Sequence, residues 1–113
     1  MLTIPQRLAL AVRHHEAGRR QEAEALYRAI LQDAPQHPHA LHLLGVLSYQ
    51  AGRHEEARDL ILRALAVHGP HPVFHSNLAA VYLALGHLED AVTHGRKAVR
   101  LQPNLPDAQN NLG

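Results

Sequence analysis

There is no cysteine among the 113 residues. Disulfides and thiol chemistry are therefore excluded, and the absence fits a reducing, cytoplasmic setting. Aromatic residues are scarce at 4%, against 46% hydrophobic residues overall, a balance suited to helix packing through Leu, Ala and Val. No apolar run approaches the roughly 20 residues that a membrane-spanning helix needs. The opening stretch, Met1-Leu2-Thr3-Ile4-Pro5-Gln6-Arg7, lacks a basic region followed by an apolar one and does not read as a secretion signal. Net charge is only +1 with histidines neutral, which argues against nucleic acid or an anionic membrane as the main partner. The one basic patch, Arg96, Lys97 and Arg100, has no aromatic side chain interleaved for stacking on bases. Linkers, low-complexity segments and charge runs are absent too.

What the chain does have is a period of 34 residues. Gly18, Gly52 and Gly86 recur at that spacing, as do Ala23, Ala57 and Ala91, and Leu10, Leu44, Leu78 and Leu112. A small residue follows each leucine: Ala11, Gly45, Ala79 and Gly113. Such a fixed period marks an array of helical repeats rather than a domain with a single core. The units run 4–37, 38–71 and 72–105, and residues 106–113 begin a fourth. Pro5, Pro38, Pro72 and Pro106 stand at or near the first helical position, where the missing N–H has no helical partner. The recurring glycine then ends each first helix. These signals predict first helices over 5–17, 39–51 and 73–85, and second helices over 21–33, 55–67 and 89–101. The recurring alanines predict close helix crossings at which a larger side chain would clash.

These residues resemble the tetratricopeptide repeat, whose pattern runs W-x₂-L-G-x₂-Y, A-x₃-F, P. The second unit supplies Leu41, Leu44-Gly45, Ala57, Ile61 and Gly69-Pro70. The third supplies Leu78-Ala79, Tyr82, Ala91 and Pro103, and the first Leu10-Ala11, Ala23, Tyr27 and Pro35. The resemblance implies an all-α, right-handed solenoid of antiparallel helix pairs, with three repeats and the start of a fourth. Three positions depart from the pattern. Arg7 and His75 stand where it wants Trp or Leu, and Gly95 takes the place of Tyr27 and Ile61. The third unit is accordingly expected to be the weakest. Because 106–113 does not resemble a polar capping helix, the chain is expected to be the first portion of a longer protein.

The resemblance also implies a concave groove, lined by the first helices, that holds an extended peptide. Carried over by position, its lining is Leu8, Ala9 and Val12; His39, His42, Leu43, Val46, Tyr49 and Gln50; Val73, Ser76, Asn77 and Ala80; and Asn110 and Asn111. Among these residues no cation is placed to hold a peptide's C-terminal carboxylate, as chaperone adaptors of the family do. Asn77 and Asn111 stand one period apart, similar to the asparagine ladder of O-linked N-acetylglucosamine transferases. Two readings stand beside the plain interaction module: the substrate-recruiting arm of such an enzyme, and a scaffold that self-associates through an apolar C-terminal edge. With unperturbed imidazoles, His39 and His42 would favour acidic peptides near pH 5.5. No cofactor or physiological metal site is expected, because the eleven histidines lack convergent partners. His71 and His75 could bind nickel or zinc adventitiously. No constellation on the chain supports catalysis.

Overall fold

The computed structural model describes residues 1–103. Among them stand six helices and no strand: α1 (Ile4–Glu16), α2 (Arg20–Asp33), α3 (Pro38–Gln50), α4 (His54–His68), α5 (Pro72–Ala84) and α6 (Leu88–Leu101). Each begins one residue earlier than the spacing predicts: the residue before the helix is Thr3 at α1, the residue just ahead of the proline at α3 and α5, and the residue just after the turn glycine at the second helices. At α1, Gln6 N–H donates to Thr3 Oγ1 at 3.2 Å and Thr3 N–H to Gln6 Oε1 at 2.9 Å, a reciprocal capping box. At α3 and α5 an imidazole does this work. His37 Nδ1 accepts from Ala40 N–H, and His71 Nδ1 from Val73 N–H. The turns inside each pair repeat as well: Gly18, Gly52 and Gly86 sit at φ +80°, +84° and +81°. This is the left-handed region that glycine enters without strain.

Helices pair as α1 with α2, α3 with α4 and α5 with α6, and the pairs join through α2 on α3 and α4 on α5. The result is an elongated stack of 43 × 25 × 23 Å. Its core runs continuously through Tyr27, Leu41, Leu44, Leu47, Ile61, Phe74, Leu78 and Val81. α6 packs extensively only on α5 among the described residues. Leu88, Val92, Val99 and Leu101 are consequently between 47% and 63% exposed.

The two helical glycines show how closely sequence reports packing. A Cβ on Gly45 would lie 2.8 Å from Ile61 Cγ1 and 3.2 Å from the Ala57 carbonyl oxygen. On Gly95 it would meet nothing nearer than Ala79 Cβ, at 3.9 Å. Overpacking of the first kind costs about 1–3 kcal/mol, more than the roughly 0.5–1 kcal/mol that alanine gains over glycine in a helix. Gly45→Ala should therefore lower, and Gly95→Ala raise, the urea midpoint. The same sign for both would contradict this account of the crossing.

Candidate functional site

The first helices α1, α3 and α5 carry the expected lining, and α3 touches α5 directly. Leu8 and Val12 on α1, Tyr49 and Gln50 on α3, and Val73, Ser76 and Ala80 on α5 are half-buried, and His39 is exposed. Three expected lining residues are buried instead: His42 (5% exposed), Val46 (1%) and Asn77 (0%). For His42 and Asn77 the cause is α5 lying against α3. Phe74 stacks on the His42 ring at 4.3 Å, and Asn77 Nδ2 donates to His42 Nε2 at 2.8 Å. Among the described residues Asn77 Oδ1 has no hydrogen-bond partner. Asn110 and Asn111 lie outside the described residues.

Gln50 acts as a strut between units. The Tyr27 hydroxyl donates to His15 Nδ1 (3.0 Å), and His15 Nε2 donates to Gln50 Oε1 (2.6 Å). Burial pushes the Tyr27 hydroxyl well above the usual phenol range, which keeps it a donor. On the second helices, Glu24, Arg28, Arg53 and Glu56 form a closed set of ion pairs at 2.9–3.2 Å. These four residues satisfy one another's charge. The half-buried strip on the first helices is mostly apolar.

One feature was not read from the sequence, an imidazole cage around the single phenylalanine. His71 stacks on Phe74 at 4.0 Å and His42 at 4.3 Å, while His39 and His68 meet it edge-on at 5.8 and 5.6 Å. The signal for it was present in His37, His39 and His42 at the start of α3, His68 at the end of α4 and His71 just before α5. Burial, reinforced by His71 and His39, pushes the His42 imidazole down to about 3. Burial, with His37 and His68, lowers His39 also. The expectation that His42 charges near pH 5.5 is thus corrected: it is neutral there, with its proton on Nδ1.

The cage does not suit a metal. His71 accepts a backbone N–H at Nδ1 and His42 accepts from Asn77 at Nε2, so neither neutral ring keeps a lone pair to donate. Of the expected adventitious pair, His71 is occupied in this way and His75 Nδ1 faces His94 Nδ1 at 3.0 Å. Among the described residues no group of three or more His, Asp or Glu is arranged to hold an ion.

Residues 14–76 match the tetratricopeptide repeat family, and residues 72–105 match it again. The chain belongs to the tetratricopeptide repeat family. This array is 37% identical over 68 residues to the TPR repeat-containing thioredoxin TTL4 of Arabidopsis thaliana, covering 60% of this chain and 10% of that protein. The chain spans a tenth or less of the length of the curated relatives it matches. Among solved structures it resembles an O-GlcNAc transferase of Thermobaculum terrenum, with a TM-score of 0.90 and 32% identity, over 99% of this chain and 22% of that one. It shares its fold with the first TPR of Spaghetti (RPAP3), solved bound to an HSP90 peptide. That likeness has a TM-score of 0.87 and 20% identity, over 96% of this chain and 86% of that one. No helix among the described residues is long and apolar enough to cross a membrane. Tetratricopeptide repeats are modules for protein–protein interaction.

Proposed function

We propose that this array is a non-catalytic, cytoplasmic module that holds an extended segment of a partner protein along its first helices. The observation that carries this reading is the half-buried strip of Leu8, Val12, Tyr49, Val73, Ser76 and Ala80 on α1, α3 and α5. A strip of this kind offers apolar contact and a few polar groups without itself being core. The peptide-bound relative of the same fold supports the choice of ligand. His42 and Asn77 act from beneath, their hydrogen bond setting the spacing of α3 and α5.

The test is affinity selection of peptides on the chain, followed by titration of the selected peptide against variants. Tyr49→Ala and Val73→Ala should each weaken binding by about 1–2 kcal/mol. Arg58→Ala, on α4 and paired with Asp59, should leave it unchanged. If Arg58→Ala weakens binding while the other two do not, the partner sits on the second helices.

A second reading is favoured by the likeness to the O-GlcNAc transferase at 32% identity over 99% of this chain. Under it, the array is the substrate-recruiting arm of a longer glycosyltransferase. Self-association is a further proposal, resting on the exposed Leu88, Val92, Val99 and Leu101 of α6. Light scattering at high concentration decides it, with a strictly monomeric chain as the opposing result.

A further inference from the structure

α4, the turn that follows it, the start of α5 and the last turns of α6 border an open pocket of about 390 Å³, lined in part by Leu65, Pro70, His75, Lys97, Arg100 and Leu101. It shares no residue with the strip described above. The pocket traces to departures from the repeat. One unit earlier, Leu41 fills the place of His75 and is 1% exposed. There Arg63, in the place of Lys97, turns its guanidinium onto the Pro35 carbonyl at 3.4 Å. In the third unit His75 instead turns to His94, with 3.0 Å between Nδ1 atoms.

The pocket therefore joins apolar walls to uncommitted charge. Among the described residues the ion-paired arginines are Arg7, Arg28, Arg53 and Arg58; Lys97 and Arg100 are in no ion pair. A cavity of this size is at the lower end of small-molecule sites. The Leu and Pro walls give a compact hydrated anion such as phosphate nothing to contact beyond the two cations, whereas they accept a hydrocarbon chain. We propose that this pocket binds a free aliphatic carboxylate, its head between Lys97 and Arg100 and its chain against Leu65, Pro70 and Leu101. Charge-assisted hydrogen bonds would hold the head, and removal of the chain from water would hold the tail.

The adjacent histidines report on occupancy. His75 and His94, joined through their Nδ1 atoms, share one proton when neutral. Burial holds His75 down to about 4, helped by His94, Lys97 and His71. Burial and Lys97 hold His94 below its ordinary value, while Asp90 opposes them. A carboxylate beside Lys97 offsets that cation, so binding should raise both imidazoles and tighten as pH falls from about 6.5 towards about 5.

The experiment is titration of the full chain with octanoate, followed by calorimetry and by the imidazole resonances of His75 and His94. Octanol serves as the uncharged tail, acetate as the tailless charge, and an end-blocked peptide carrying Glu beside Leu as the protein-borne version of the same chemistry. Octanoate is expected to bind and to shift both resonances. Octanol and acetate should be at least about tenfold weaker, and Lys97→Gln and Arg100→Gln should each lose about tenfold. Both variants alter exposed side chains, so helicity should persist. Tyr49→Ala should bind octanoate normally, which separates this site from the partner-binding strip. Equal binding of octanol, unmoved resonances, or glutamine variants of undiminished affinity would overturn the proposal. A peptide tighter than octanoate would overturn it too, by giving the pocket to a protein side chain.

Discussion

Truncating Phe74 to alanine is expected to cost about 3–5 kcal/mol. Its ring is 1% exposed and lies between the His71 and His42 rings, at 4.0 and 4.3 Å, with His39 and His68 at its edges. Removing it leaves a void that four imidazoles cannot close, since two are committed to other bonds. His42 accepts from Asn77, and His71 caps α5. A domain of this size has only about 5–15 kcal/mol in total, so a large part of its stability goes. In a linear array each unit leans on its neighbours, and the loss falls at the junction of the second and third units. Urea unfolding followed by circular dichroism should show an earlier and broader transition, and Phe74→Leu should recover much of the loss. A midpoint shift of less than about 1 kcal/mol would mean the cage carries little of the inter-unit coupling.

Acidification should be the second large perturbation. His42, His39, His71, His75 and His94 all have folded-state values held below the ordinary imidazole value, chiefly by burial. The native chain therefore binds fewer protons than the unfolded one. Stability is complete above about pH 6.5 and falls as pH drops below it, until each folded-state value is reached. His42, held down to about 3, should alone lose about 2 kcal/mol by about pH 5. His39, His71, Phe74 and Asn77 surround it, and none offers a negative charge to compensate. Glu56, lowered chiefly by its bond to Arg28 and assisted by Arg53, contributes stability that is lost only below the usual carboxylate range. Urea midpoints at about pH 7.5 and 5 thus isolate the histidines. The stability should drop between them, and His42→Gln should flatten the slope. Equal midpoints at both values would place His42 in water.

Much of this architecture was legible in the residues alone. Proline opening a helix, a glycine turn, and alanine or glycine at a helix crossing are demands met within a turn or between two adjacent helices. Because the same demands return every 34 residues, each position was read several times over. Gly45 belongs to the small residues that recur after each leucine, and its missing Cβ would lie 2.8 Å from Ile61. Which residues of the first helices face water was not decided in this way. His42, Val46 and Asn77 hold positions that the repeat leaves open to solvent, yet they are buried. What buries His42 and Asn77 is the neighbouring unit, through α5 packed on α3 and the Phe74 ring laid over His42. Phe74 stands where the earlier units have Gln6 and Ala40, so the period carries no word of it. Periodicity reports what every unit needs in order to fold, whereas burial, tautomer and charge depend on which particular side chains meet across one junction, and only the tertiary structure brings those together.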